Sequence, residues 1–152
     1  MSGEIASESR ISIGQRMPDG TIYAGNSPET GEAMYTTPED ARMNKSWWMR
    51  GSDPLTFTFN QARKYAAKLV AHGHDDWRVP TRAELRVLFE NKAAIGGFNN
   101  IPLNRRHLNN YRSSDERKGW AGWILNFRED HSRPLYDYKN NGYALRCVRG
   151  FG

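Results

Sequence analysis

The stretch Trp77-Arg78-Val79-Pro80-Thr81-Arg82-Ala83-Glu84-Leu85 decides how the middle of this chain folds. Thr81 followed three residues later by Glu84 is a capping box, in which each side chain bonds the backbone N–H of the other residue at a helix start. Pro80 sets the entry of the chain, and the segment before it is predicted to be extended. The apolar residues that follow recur at helical spacing until a glycine pair: Leu85, Leu88, Phe89 and Gly96-Gly97. A helix is therefore predicted from Thr81 to that pair.

A second capping box lies upstream, at Thr58 and Gln61. Apolar residues at helical spacing follow it until Gly73: Ala62, Tyr65, Ala66, Leu69 and Val70. This pattern predicts a second helix that ends at the glycine. Closer to the N-terminus, a β-hairpin is predicted over residues 11–24 around the turn Pro18-Asp19-Gly20, and residues 1–10 are expected to be a flexible lead-in.

The last third of the chain has the period of a strand. Ala121, Trp123, Leu125 and Phe127 alternate with other residues, which predicts a strand with one apolar face. Further strands are predicted at 135–138 and 143–149, joined by an Asn-Gly turn. The chain is therefore predicted to be one α+β domain over residues 11–152, with two helices packed on a small, mostly antiparallel sheet. We expect one shared core, made of Leu69, Leu85, Leu88, Trp123, Phe127 and Leu145.

Composition limits the class of protein. The chain has 152 residues and only 38% hydrophobic residues, yet 12% are aromatic, so large rings supply the burial that a core needs. Its single cysteine, Cys147, excludes an internal disulfide and a zinc site made of cysteines alone. No apolar run approaches the roughly 18 residues of a membrane helix, so no membrane insertion is expected. The polar N-terminus predicts synthesis in the cytoplasm without a Sec signal peptide, which leaves the cytoplasm, a phage particle or non-Sec export as destinations.

Positive charge is concentrated at the C-terminal end. Residues 1–100 carry 12 basic and 12 acidic side chains, whereas residues 101–152 carry 10 and 5, so the whole net charge of +5 lies in the last third. This excess is either a solvated face or a surface that meets an acidic partner.

Candidate chemistry is sparse. The cluster His72-Gly73-His74-Asp75-Asp76 matches no zinc spacing and is interpreted as the end of a helix. Ser113-Ser114 lacks the surrounding sequence of a nucleophile elbow, and Cys147 is predicted to be a buried, inert thiol. We therefore expect neither an enzyme nor a cofactor or metal site.

Aromatic and basic residues interleave in the last third, in the mixture of Tyr, Arg and Asn that is typical of contact surfaces. We predict a ligand-binding surface over residues 99–143. Its candidate residues are Arg105, Arg106, His107, Asn109, Tyr111, Arg112, Arg128, His131, Arg133, Tyr136, Tyr138 and Asn140.

Four motifs in order carry a resemblance to a known family. The segment Trp77–Leu85 is similar to "WRLPTxxEL", Tyr111–Glu116 to "YWSSTE", Trp120–Phe127 to "AWxVNF" and Ala144–Arg149 to "VRCVR". These motifs belong to a bacterial family of C-type-lectin-like domains that includes the C-terminal domain of the Lcl collagen-like adhesin. The resemblance implies the C-type-lectin-like fold, which is related to formylglycine-generating enzymes and to the variable proteins of diversity-generating retroelements.

Departures from the family pattern narrow what the resemblance implies. Arg112 stands where the family has a tryptophan, and the calcium-binding signatures of lectins are absent. Formylglycine-generating enzymes use paired cysteines, which Cys147 alone does not provide.

Together these features predict a non-catalytic binding or display protein that binds a protein or an acidic glycan. A more specific form of this prediction is a variable protein whose surface is diversified by a retroelement. The alternatives are a relative of formylglycine-generating enzymes and a basic nucleic-acid-binding protein, the latter being the less favoured partner because no nucleic-acid-binding motif is present.

Overall fold

The computed structural model describes residues 11–42, 55–98, 110–127 and 134–150. In these ranges the helices are α1 (Phe59–Lys68), α2 (Arg82–Glu90) and α3 (Lys92–Ile95). The strands are β1 (Ile22–Asn26), β2 (Ala33–Thr36), β3 (Asn110–Lys118), β4 (Ala121–Asn126), β5 (Pro134–Tyr138) and β6 (Val148–Gly150). The described strands pair antiparallel in two sheets, with the orders β1-β2-β6 and β3-β4-β5. The predicted α+β class is confirmed, with two small sheets in place of one.

The segment after β5 explains why there are two sheets. The turn at residues 139–142 forms, but Tyr143 then pairs with Phe57 instead of returning along β5. Ala144 bridges Tyr111 of β3, and Val148 enters the other sheet opposite Thr36. The predicted hairpin between 135–138 and 143–149 is therefore wrong, because the closing segment links the two sheets.

Both predicted capping boxes are present, with reciprocal side-chain and backbone bonds at Thr58 and at Thr81. The helices are shorter than predicted. α1 stops at Lys68, because Leu69 is extended and the chain then reverses through His72 and Gly73, which have φ angles of 56° and 78°. The second helix is interrupted at Asn91 before α3 begins.

The N-terminal and third-strand regions also differ from the prediction. The turn at Pro18-Asp19-Gly20 forms, with the Met17 N–H donating to the Thr21 carbonyl at 2.7 Å, but only the pair Arg16–Ile22 bridges across it. The regular ladder of this sheet instead joins β1 to β2. β3 was not predicted, because its polar sequence has no apolar alternation. Residues 1–10 lie outside the described part of the chain.

The core has two clusters of buried side chains. Leu85, Leu88 and Phe127 belong to the first, between α2 and both sheets, whereas Leu145 lies in the second, next to α1. Leu69 packs half-buried against the second cluster. The prediction of one shared core is therefore wrong in its grouping, and Trp123 is partly exposed rather than buried.

The stretch Trp77–Leu85 connects α2 to the sheet β1-β2-β6 through Glu84, whose side chain is fully buried. Arg78 donates to both Glu84 oxygens at 2.5 and 2.7 Å, and Ser27 donates to one of them at 2.5 Å. Burial alone would raise the pKa of Glu84, but the bonds from Arg78, Ser27 and the Thr81 N–H lower it below its usual value. The backbone of Arg78 also pairs with Val148, so this motif is a structural connection.

No helix of the described residues combines the length and the apolar character that crossing a bilayer requires.

Candidate ligand-binding face

Four aromatic side chains meet on the sheet β3-β4-β5, and we call Trp120, Trp123, Tyr136 and Tyr138 the ring face. The ring of Trp120 lies 5.0 Å from that of Tyr138 and 6.4 Å from that of Tyr136, centroid to centroid. Trp123 lies 5.6 Å from Tyr136. The exposed fractions of Trp120, Tyr136 and Tyr138 are 49, 45 and 59%. Large rings clustered at such exposure are typical of an interaction site.

The register of two strands produces this cluster. Trp123 on β4 is directly opposite Tyr136 on β5, and Ala121 is opposite Tyr138. Because alternate residues of a strand share a face, Tyr136 and Tyr138 lie on the same side as Trp123. Trp120 comes from the turn before β4, and its carbonyl accepts the Lys139 N–H at 2.9 Å, which holds this turn beside the end of β5.

Two arginines cover the rings. The Arg82 guanidinium carbon lies 3.9 Å from the centroid of Trp123, and that of Arg117 lies 4.0 Å from the centroid of Tyr136 and 5.9 Å from that of Trp123. Both side chains are exposed, and neither forms an ion pair with a carboxylate of the described residues. An arginine stacked on a ring keeps its N–H groups free at its edge, so these two can bind a carboxylate or a sulfate.

A hydrogen-bonded network behind the ring face fixes the turn that follows β5. Asp137 accepts from the Tyr143 hydroxyl and, at 2.9 Å, from Asn141 Nδ2. Burial and the bond to Asp137 raise the pKa of Tyr143. Arg112 Nη2 donates to the Asn141 carbonyl. Asp137, Tyr143, Asn141 and Arg112 therefore support the ring face through hydrogen bonds.

The structure separates the predicted site residues. Tyr136, Tyr138 and Asn140 are exposed. Tyr111 and Arg112 are fully buried, so their assignment to an exposed binding surface is wrong. The remaining candidates lie outside the described residues: Arg105, Arg106, His107, Asn109, Arg128, His131 and Arg133.

Packing explains both corrections. The ring of Tyr111 lies 4.2 Å from that of Phe127, and its hydroxyl donates to Asp40, so this tyrosine is part of the first core cluster. The Arg112 guanidinium lies 5.1 Å from the ring centroid of Tyr143 and 5.9 Å from that of Phe59. This arginine therefore occupies a buried site between aromatic rings.

The list of candidate residues omitted four residues of the face: Trp120, Trp123, Arg82 and Arg117. The alternation that contains Trp123 predicted burial, whereas Trp123 is only partly buried, beneath the exposed Arg82. Arg82 belongs to a capping-box segment far away in sequence, and only the packing of α2 brings it to Trp123. The available signal was the pair Tyr136 and Tyr138. Because these tyrosines are two residues apart on a strand, both rings lie on one face of the sheet.

The histidine cluster has structural partners. His74 Nε2 lies 2.7 Å from Asp19 Oδ2, and His72 Nδ1 lies 3.2 Å from the Asp19 carbonyl oxygen. Asp76 forms two bonds with Arg149, at 2.6 and 2.9 Å. Among the described residues, no group of three or more His, Cys, Asp and Glu side chains is arranged to hold a metal ion.

Cys147 is buried, as predicted, and burial raises the pKa of its thiol to about 12. At neutral pH the sulfur is therefore protonated, which is the unreactive form.

The fold and the ring face together define a small α+β domain that presents aromatic and arginine side chains on one of its sheets. The model of the Lcl C-terminal domain family matches residues 37–149, about three quarters of the chain, and the protein belongs to this family. No curated protein matches the chain. The match includes all four motifs from which the family resemblance was inferred, and that part of the resemblance is confirmed.

Proposed function

We propose that this protein is a non-catalytic binding domain whose ring face contacts an anionic protein or an acidic glycan. The observation that carries the proposal is the exposed cluster of Trp120, Tyr136 and Tyr138, with Arg82 and Arg117 stacked beside it and free of ion pairs with the described residues. No other group of exposed rings within the described ranges has such arginines over it.

The chemistry of these side chains suits binding. Trp, Tyr and Arg contribute most of the energy of many interfaces, because they bring large contact area together with polar edges. Each arginine can make two parallel bonds to a carboxylate or sulfate. Since both arginines are exposed, the electrostatic part of binding should weaken with salt over the screening length of about 8–10 Å.

Three carboxylates with lowered pKa values have structural partners. Glu84 pairs with Arg78, Asp76 with Arg149, and Asp19 with His74, and in each case the bonded partner lowers the pKa of the carboxylate. These pairs connect segments of the fold and lie outside the ring face.

The finer idea, a surface that varies between copies of the protein, is compatible with the placement of residues within 99–143. Tyr136 and Tyr138 are exposed, so their replacement would change the surface without opening the core. Tyr111 and Arg112 are buried and belong to the frame. Sequencing many natural copies of the gene would test this idea, which predicts variation at 136 and 138 and constancy at 111.

The binding proposal is tested with arrays of acidic peptides and sulfated oligosaccharides, probed with the wild-type protein and with the double variant Trp120→Ala/Tyr138→Ala. The double variant should lose at least tenfold in affinity for the ligands that the wild-type protein binds. Tyr35→Ala is the matched control, because Tyr35 is a partly exposed tyrosine on the other sheet. If the ring-face variant binds as the wild-type protein does, the ring face is not the site.

A further inference from the structure

A cavity of about 230 Å³ opens between the first turn of α2 and the strands β3 and β4. Its lining comes from the helix on one side and from the two strands on the other: Arg82, Ala83, Leu85, Arg86, Ser113, Ile124 and Leu125. Leu85, Ile124 and Leu125 are nearly fully buried, so they form its floor, while the arginines and Ala83 form its rim.

The floor of the cavity is chemically apolar. The hydroxyl of Ser113, the polar side chain contributed by the strands, already donates to the Trp123 carbonyl at 2.7 Å and accepts the Asp115 N–H at 3.2 Å. A group that enters the cavity therefore meets hydrocarbon without a free hydrogen-bonding partner at the floor. Such a site favours an apolar side chain and disfavours a sugar hydroxyl, which would lose its bonds to water.

The cavity continues into the ring face through Arg82. This side chain lines the cavity and, at the same time, lies 3.9 Å from the centroid of Trp123. Its guanidinium forms no ion pair with a carboxylate of the described chain, whereas its neighbour Arg86 pairs with Glu90 at 3.3 Å. A ligand that fills the cavity therefore brings its next polar group to an unpaired cation.

The volume limits what can enter. Sites for drug-sized molecules measure about 300–1,000 Å³, so this cavity suits one side chain rather than a whole ligand. In protein interfaces, single large side chains that fill such pockets act as anchors, and the surrounding contacts exclude water.

We propose that this cavity is the anchor subsite for a polypeptide ligand: it takes one large apolar side chain of the partner, and Arg82 pairs with a carboxylate next to that side chain. The inference rests on the proposed function, because it assigns a ligand class to the face beside the cavity. Charge complementarity selects an acidic partner segment, and the apolar floor selects a polypeptide over an acidic glycan.

The test uses three small probes on the full chain at pH 7: N-acetyl-leucine, which has the side chain and the carboxylate; N-acetylglycine, which has the carboxylate alone; and N-acetyl-leucinamide, which has the side chain alone. Binding is followed by NMR shifts of the methyl groups of Leu85, Ile124 and Leu125. N-acetyl-leucine should bind at least about fivefold more tightly than either of the other probes, since burial of a leucine side chain and a charge pair both contribute.

Two variants localise the effect. Ala83→Phe fills the cavity from an exposed helix position and should abolish the preference for N-acetyl-leucine, while Ala93→Phe, at another exposed helix position, should keep it. Arg82→Gln should reduce the affinity for N-acetyl-leucine to that for N-acetyl-leucinamide, and it should leave the affinity for N-acetyl-leucinamide unchanged. Equal binding of the three probes, or a preference that survives Ala83→Phe, would overturn the inference.

A fourth titration separates this inference from the proposed function. A heparin tetrasaccharide is added to the same sample while the indole N–H signals of Trp120 and Trp123 are followed. If these signals move and no leucine probe enters the cavity, the anchor subsite is refuted and the ring face remains a binding site for an acidic glycan. If neither the indole nor the methyl signals respond to any probe, both proposals fail.

Discussion

Arg112 is a buried cation that has no carboxylate of the described residues in hydrogen-bonding contact, and the substitution Arg112→Met tests how the fold tolerates this charge. Its Nη2 donates to the Asn141 carbonyl, whereas its Nε and Nη1 have no hydrogen-bond partner in the described part of the chain. Burial lowers the pKa of Arg112 to about 10, so the group is still charged at neutral pH. Methionine keeps the unbranched stem and removes the charge.

The contributions to the stability change have opposite signs. The variant loses one charge-assisted hydrogen bond, of about 1.5–3 kcal/mol, and the attraction to the rings of Phe59 and Tyr143, of about 0.5–2 kcal/mol. It gains by removing two unpaired donors, at about 1–3 kcal/mol each, and a buried charge whose desolvation costs several kcal/mol more. The balance favours the variant, and we expect it to be more stable by about 1–3 kcal/mol.

Urea unfolding at pH 7 measures this difference, and thermal unfolding should show a rise of about 2–4 °C per kcal/mol for a chain of this size. Arg146→Met is the matched control, because Arg146 is equally buried but donates to the carbonyls of Thr37, Pro38 and Gly96 and lies 3.4 Å from Asp40. This control should lose about 3–5 kcal/mol, because it removes the buried cation beside Asp40 together with the hydrogen bonds to the three carbonyls. If Arg112→Met is destabilised by 1 kcal/mol or more, the reasoning about unpaired donors is refuted.

Three further predictions concern the packing of the core, the loss of stability in acid and the reactivity of the cysteine thiol. Leu88→Ala should cost about 2–5 kcal/mol in urea unfolding, because Leu88 is fully buried in the first cluster, and a near-neutral result would contradict this placement. Glu84→Gln should cost about 2–4 kcal/mol at pH 7, since its partner Arg78 is partly exposed. Because the folded-state pKa of Glu84 is lowered, its stabilisation is present above the usual glutamate pKa of about 4.3 and is lost as the pH falls through the folded value, so wild type and variant should converge in acid. Cys147 should resist a thiol reagent at pH 8 and react at once in guanidinium; rapid reaction of the native protein would show that its burial is incomplete.

Local signals predicted the local structure well. The capping boxes at Thr58 and Thr81 involve residues only three positions apart, and both are present. Gly73 predicts an end of α1 that is too far along the chain. The helix ends at Lys68, because Leu69 is extended. A helix end depends partly on the path of the chain that follows it, and the residues of the helix alone do not determine that path.

Burial in the strands was harder to predict, because it depends on what covers each face. Tyr111, Arg112 and Ser113 are successive and all buried, so β3 is covered on both sides. A polar strand of this kind has no alternation to reveal it. Trp123 shows the opposite error: its alternation with Leu125 is real, but α2 buries Leu125 and leaves Trp123 partly exposed under Arg82.

In strand β5, alternate residues have different roles, because two of them form the exposed binding face and the one between them stabilises the fold. Tyr136 and Tyr138 point to the exposed ring face, while Asp137 between them accepts bonds from Tyr143 and Asn141 and so holds the next turn. Surface substitutions at the two tyrosines should change stability by only about 0.5 kcal/mol. Loss of the Asp137 carboxylate would instead remove the acceptor of the buried Tyr143 hydroxyl, which costs more. Because alternate positions carry these two roles, the ligand preference of the face can change while the sheet, its register and the closing segment stay as they are.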